Sequence, residues 1–549
     1  MWICLWLSES NLGEVRLRNI LNSSIMKRTL LLIFPLLLIS SKIYTQPAIQ
    51  WQKALGGSSY DGANSIFQTS DNGFVTTGQA ASDDGDVIGN HGGWDFWVVK
   101  MDSSGIPQWK KTYGGSNNDW SYSIIQTTDE GYVVVGFTES NDGDVSGNHG
   151  DKDMWVIKLD GDGAIQWQKS LGGSGWEEAW SVRQCDDGGY IVAGRSSSTD
   201  GDVTGNHGYL DYWVVKLSIS GDIEWQKSFG GSGLDLGYAI TKTSDGGYVV
   251  TGESDSKDGD VNNNHGNSDY WVVKMNFEGK IEWERSFGGT SIDRGNDILQ
   301  TREGGYVVFG QTRSINGDVT DHHGGYDWWV VKLDETGELE WQKTFGGSDE
   351  DFGQSIKQTV DGGFVLGGFT HSTNGDVMGN QGNVDAWILK LTEGGEIQWQ
   401  KALGGTGPEN GYSIQQTDDG GYIMSGDAWV SNGDVSGTHG KTDFWIIKLS
   451  PESSPTSAPS SLPLAVFPNP AQQTISLKTQ ASSAEISTEA GKEPSLTVRI
   501  TDLLGREVSH QAISDDGQID ISALPNSLYL LTATTPSGKV FSGKFRKQE

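Results

Sequence analysis

Aspartates recur in this chain at spacings that could hold a hard cation. Asp84-Gly85-Asp86 is followed by Asn90, His91 and Asp95, and the same set returns as Asp142, Asp144, Asn148, His149 and Asp153. It comes back as Asp200, Asp202, Asn206, His207 and Asp211, and then as Asp258, Asp260, Asn264, His265 and Asp269. Three later copies drift: Asn316, Asn374 and Asn432 replace the first Asp, while Asp318, Asp376 and Asp434 persist. Carboxylates and amides alternating at short spacing could wrap calcium, which takes six to eight oxygens. Asp-Gly and Asn-Gly also make turns whose side chains bond local backbone N–H groups, and this alternative stays open. The EF-hand spacing is not met, because its closing Glu is missing. The recurring His has no Cys or second His at zinc spacing. Calcium is therefore the one cofactor the pattern suggests.

A second series of acids follows a Gly-Gly pair: Asp61, Asp119, Glu177, Asp235, Asp293, Asp351 and Glu409. Seven carboxylates at one repeat position could ring a channel mouth and draw in a cation or basic ligand, or each could cap a turn by accepting backbone N–H bonds. Trp120, Trp176 and Trp180 lie in or beside the same segments, where they could stack on a glycan or pack a loop. No catalytic constellation stands out, since one substrate needs unlike groups at one point. Cys185 is a lone thiol, and no disulfide framework exists.

These residues need elements to position them, and the elements repeat. A tryptophan returns every 58 residues, at Trp51, Trp109, Trp167, Trp225, Trp283, Trp341 and Trp399. A second series runs Trp97, Trp155, Trp213, Trp271, Trp329, Trp387 and Trp445. Within one repeat, four short β-branched and aromatic runs are bounded by Gly/Asp turns, as in SIIQT, YVVVG, WVVKL and IQWQK, and these predict four strands, a to d. Seven such repeats predict a seven-bladed β-propeller over residues 46–450. The c–d hairpin is whole at every internal junction, but at the two ends it is split. Strand c stands alone at Asp443–Ser450 and strand d alone at Ile49–Lys53. That predicts a closed ring whose last blade borrows its fourth strand from the N-terminal side. The fourteen repeat tryptophans are expected to be inter-blade core. Strands alternate in direction, so the a–b and c–d turns share one face, while the long b–c loops and d-to-a crossings share the other. Binding residues are expected on this b–c face.

A formal charge of −33 argues against nucleic acid, whose phosphates need Lys and Arg. Met26-Lys27-Arg28 and the apolar run Thr29–Ile39 predict a signal peptide over 26–45, with residues 1–25 an over-long start. No other segment is apolar enough to span a bilayer.

At Pro451 the pattern gives way to a Pro/Ser linker, 451–463. Residues 464–549 carry short alternating strands that predict a small β-sandwich. Phe467-Pro468-Asn469-Pro470, Val498–Asp502 with Leu504-Gly505-Arg506, Leu524 ahead of Tyr529, and Lys544-Phe545 stand here in order. On these residues the tail resembles the C-terminal sorting domain of proteins exported by the type IX secretion system of Bacteroidetes. Two departures are Ser527, where that family usually has Gly, and the insertion SSAEISTEAGKEPS. The resemblance implies that secretion machinery is a partner, that the chain crosses the outer membrane, and that it is surface-attached or released. The combined expectation is an exported binding or adhesion module for an extracellular glycan or protein. The alternatives are a polysaccharide hydrolase or lyase, and a structural surface protein with calcium-stabilised loops.

Overall fold

The computed structural model describes residues 46–452, 462–467, 474–479, 497–501, 507–512, 518–534 and 540–547. The expected leader, most of the linker, and Pro468, Asn469, Pro470 and Gly505 lie outside them. Every regular element among the described residues is a strand. No helix there is long and apolar enough to cross a membrane.

Blade one runs a Asp61–Gln68, b Phe74–Ala80, c Asp95–Met101 and d Pro107–Tyr113, hydrogen-bonded in that order. Five more blades repeat this order. Blade seven is completed by Ile49–Leu55, which pairs antiparallel with Asp443–Leu449 from Ile49 opposite Leu449 to Leu55 opposite Phe444. Strands a contact one another around the whole circle, from blade one through blade seven and back, so they are innermost. The expected closed ring is the observed one.

The tryptophans hold blade to blade in two ways. Those of strand c, Trp97 to Trp445, are almost fully buried, inside strands whose residues are nearly all covered on both faces. Most of those of strand d are half-buried and lie over the next blade. Trp51 sits edge-on to Phe74 at 5.8 Å, and its ring is 2.8 Å from where a Cβ on Gly105 would stand. Gly105 has φ +74°, so both backbone and neighbour demand glycine. On this same face, at the a–b turns, glutamines at the end of strand a clasp adjacent blades. Gln126 Oε1 accepts the Ser70 N–H at 2.8 Å, and Gln68 Oε1 accepts that of Asp418 at 2.9 Å, across the closure.

The C-terminal region is β-rich. Its strands hydrogen-bond as Glu507–Ala512, Thr497–Thr501, Leu528–Thr534, Val540–Arg546, Leu462–Phe467, Thr474–Thr479 and Gln518–Asp520. All pairs are antiparallel except Leu462–Phe467 with Val540–Arg546. Tyr529 is buried against Phe545 at 5.5 Å and donates its hydroxyl to Pro525 O at 2.8 Å. Lys544 is exposed on the neighbouring strand.

Closure by a borrowed strand is testable. Deleting residues 46–55 leaves blade seven three-stranded, with Trp97 and Phe444 short of cover. The expected loss is on the order of 3–5 kcal/mol, seen by calorimetry as a lower, broadened transition. An unchanged melt refutes closure through this strand.

Candidate functional site

The d-to-a acids are not an open carboxylate ring. All seven are fully buried at the entry to strand a, so of the two readings, channel-mouth ring and turn cap, they take the cap. Asp61 Oδ2 accepts the Gly57 N–H at 2.8 Å and the Ser82 hydroxyl at 2.7 Å. Asp119 takes Gly115 N–H and the hydroxyls of Ser140 and Thr138. Glu177, Asp235, Asp293 and Asp351 repeat the arrangement with Gly173, Gly231, Gly289 and Gly347. Folding places these carboxylates where crossing backbone N–H groups would otherwise be orphaned. In blade seven Ala428 stands where five of the other blades have Thr138, Ser196, Ser254, Thr312 or Thr370, whose hydroxyls bond the strand-a acid. Glu409 consequently keeps the Gly405 bond at 2.7 Å but has a buried Oε1 with no partner.

The calcium candidates divide the same way. Asp84, Asp142, Asp200 and Asp258 each accept one N–H of the d-to-a crossing, from Ser58, Ser116, Ser174 and Ser232 at 2.7–2.8 Å. Asp86 pairs with Lys110 at 2.7 Å. Asp86, Asp144, Asp202 and Asp260 reach the first Gly N–H of the preceding crossing at 3.2–3.4 Å. These aspartates therefore staple the b–c loop to its neighbouring crossing. Among the described residues no three His, Cys, Asp or Glu side chains converge as metal ligands.

Asp95, Asp153, Asp211 and Asp269 begin strand c and are fully buried. One oxygen of each accepts both the backbone N–H and Nδ1 of the preceding His, as in Asp95 with His91 at 2.9 and 2.7 Å. The other oxygen has no partner in any of these, nor in Asp327, Asp385 and Asp443. Each orphan oxygen faces a d-to-a acid. Asp95 Oδ1 and Asp119 Oδ2 lie 2.6 and 2.7 Å from where a Cβ on Gly114 would stand, and Asp443 with Asp61 meets at Gly56 likewise. Seven carboxyl pairs thus sit buried between blades. Two adjacent buried carboxylates cannot both ionise cheaply, and a proton on one supplies the missing donor. Burial, opposed by the His91 bonds and reinforced by the charge of Asp119, pushes Asp95 up to about 6. Burial likewise takes Asp235, Asp269 and Asp385 to about 6. Burial and the Asp385 charge take Glu409 to about 7.

Against this repeated frame, one ring of positions differs in every blade. The second residue of strand a pairs across the sheet with the sixth of strand b. The pairs are Gly62 with Gln79, Trp120 with Phe137, Glu178 with Arg195, Leu236 with Glu253, Arg294 with Gln311, Phe352 with Phe369, and Asn410 with Asp427. They stand at the b–c ends of the two innermost strands. Between blades one and three they surround an open pocket of about 210 Å³ lined by Trp94, Asn118, Trp120, Tyr122, Phe137, Glu139, Lys152 and Glu178. Lys152 Nζ lies 4.0 Å from the Phe137 ring and 5.2 Å from that of Trp176. It also lies 3.4 Å from Glu139 and 3.6 Å from Glu178. Arg195 holds Glu178 from the other side at 2.5 Å.

Of the three tryptophans singled out by sequence, Trp120 lines this pocket and Trp176 is 45% exposed beside it. Trp180 is stacked on Tyr122 at 4.0 Å and packs edge-on to Tyr238 at 5.3 Å. Trp94, Phe137 and Lys152 escaped the sequence reading. Their signal was departure from the repeat: Trp94 and Lys152 occupy a register position that elsewhere holds Leu210, Ser268, Tyr326, Val384 and Thr442.

Two outcomes follow from the carboxyl pairs. Acids raised in the folded state bind more protons than in the unfolded chain, so their contribution is full below about pH 4 and is lost as pH rises through 6 to 7. Opposing them, Asp71 and Asp245 sit at about 2, where bonds from Lys100 and Lys274 overcome burial; their contribution is lost only below about pH 4. The melting temperature is expected to rise as pH falls from 7.5 towards 5, unchanged by chelator. A calcium ion on the pairs would hold them ionised, so a chelator-sensitive melt with the reverse slope sinks the shared-proton account. Separately, Ala428→Ser supplies the hydroxyl that Glu409 Oε1 lacks, as Ser196 does for Glu177 Oε1. It should stabilise the chain by about 1 kcal/mol, measured by denaturant unfolding.

No curated protein matches this chain by sequence. Among solved structures it is similar to two forms of an extracellular domain from B. thetaiotaomicron, described as the one-component and hybrid two-component system BT4673. The first is 11% identical over 92% of this chain and 58% of that chain, with TM-score 0.39. The second is 12% identical over 92% and 60%, with TM-score 0.40. The chain thus spans about six-tenths of the length of these two domains. It is also similar to Sqt1 from Chaetomium thermophilum, at 10% identity over 73% of this chain and all of that chain, with TM-score 0.38. Residues 465–545 match the model of the secretion system C-terminal sorting domain, which implies export to the cell surface or beyond. The chain is thus an exported protein of seven four-stranded blades in a closed propeller, with a C-terminal region that matches the type IX secretion sorting domain.

Proposed function

We propose that the propeller is an extracellular binding module whose ligand sits on the b–c face around the ring axis. One observation carries this: strand-a positions 62, 120, 178, 236, 294, 352 and 410 hold seven different residues, directly beside positions that hold an acid in every blade. A scaffold that only had to close would have no use for seven unlike pairs at one slot. The sorting domain delivers this face to the outside of the cell. A hydrolase has less support. The carboxylates of the pocket, Glu139 and Glu178, both contact the Lys152 ammonium, which fills the space an acid and base would need for a bond and a water.

The test is binding of the purified, fluorescently labelled chain to a panel of immobilised polysaccharides and extracellular proteins. Trp120→Ala and Arg294→Ala, on the b–c face, should weaken capture at least tenfold. Glu335→Lys and Glu393→Lys, exposed on the opposite face, should leave it unchanged. The reverse pattern would place the ligand on the other face.

A further inference from the structure

On the b–c face, aromatic rings of consecutive blades touch in series. Trp429 of blade seven meets Tyr60 at 6.3 Å, and Tyr60 meets Trp94 of blade one at 6.2 Å. Trp94 meets Trp120 of blade two at 5.2 Å, and Trp120 stacks with Phe137 at 6.1 Å. Lys152 then bridges from Phe137 to Trp176 of blade three. Both ends of this arc are open, with Trp429 42% and Trp176 45% exposed. Tryptophan ordinarily buries its large ring, so two exposed rings at the ends of one continuous aromatic path leave apolar surface that a ligand would cover.

We infer that the arc binds an uncharged, linear glycan of several sugar residues, a conclusion that rests on the binding role proposed above. A pyranose offers an apolar C–H face to a ring and a rim of hydroxyls to polar neighbours. The arc supplies both, with the Asn118 amide and the Glu139 and Glu178 carboxylates beside Trp94 and Trp120. A peptide taken up by strand addition needs a free sheet edge, and the outer edge of each blade is strand d, on the rim and away from the arc. A cationic head group finds its place taken, since Lys152 already lies between the rings and the carboxylates. An acidic polysaccharide meets a chain of net charge −33, which repels it. Length enters through geometry: the pocket of about 210 Å³ is smaller than the usual small-molecule site of ~300–1,000 Å³, whereas the arc extends over four blades.

The experiment uses the full chain with cello-, xylo-, manno- and chito-hexaoses, their monosaccharides and alginate, followed by tryptophan fluorescence and calorimetry. At least one hexaose should bind and its monosaccharide at least tenfold more weakly. Trp176→Ala and Trp429→Ala, both at exposed rings, should each weaken binding about tenfold without moving the melting temperature, and Trp176→Tyr should restore most of it. Hexaose binding that survives both alanine variants overturns the arc. Preference for alginate overturns the uncharged class. If no sugar binds while Trp120→Ala and Arg294→Ala still abolish capture of an immobilised protein, the glycan class fails and the b–c face stands. If those variants have no effect either, the binding role itself fails.

Discussion

Each blade of this propeller is fastened to the next at one chemically identical point, where an acid entering strand a of one blade meets an acid entering strand c of its neighbour. The strand-a acid collects the N–H groups of the crossing chain, and the strand-c acid collects the N–H and ring nitrogen of the b–c loop. Their remaining oxygens face each other across a glycine with no side chain to separate them. A buried carboxyl is costly unless its bonds are met, and meeting them here ties loop, crossing and strand into one unit. Because the contact is inter-blade, each pair exists only when two neighbouring blades are in register, and the pair of Asp443 with Asp61 only when the ring is closed.

That junction explains the division of labour on the b–c face. The residues next to it cannot vary without orphaning a buried N–H or oxygen; blade seven shows the consequence, where Ala428 in place of Ser or Thr leaves Glu409 short of a donor. One position further along strand a, the side chain meets its cross-strand partner and groups of the neighbouring blade, as Trp120 meets Phe137 and Trp94, and there the blades diverge. Rigid loops held by buried acids thus present seven unlike pairs at the rim of the axis, a platform whose chemistry can change without disturbing the ring. The charged groups of the pocket follow the same logic: Lys152, Glu139, Glu178 and Arg195 satisfy one another while leaving the rings of Trp120 and Trp176 open to solvent.

The fold was largely legible because a 58-residue period with no insertion repeats one solution to one packing problem. The split c–d hairpin disclosed closure for the same reason: a strand without its partner at one end of the repeats needs the unpaired strand at the other. The roles of the acids were less legible. For Asp61 and Asp119 the sequence left a ligand-facing ring and a turn cap both open, because linear spacing cannot show that each meets Asp443 or Asp95 of the adjacent blade. Asp84 and Asp86 resembled cation ligands because a turn tie and an oxygen cage use the same residues at the same intervals. Trp94 went unremarked because its partners, Trp120 and Tyr60, belong to the next blade and to the crossing before its own.

The sequence alone determined the number of blades, the strand order, the borrowed strand and the C-terminal sorting domain, since each is written in local hydrophobic alternation, turn residues or a contiguous motif. The tertiary structure alone decided which carboxylates are buried, which face each other, and which tryptophans remain exposed. These are properties of contacts between blades, and they come into being only when residues tens to hundreds of positions apart are brought together by closure of the ring.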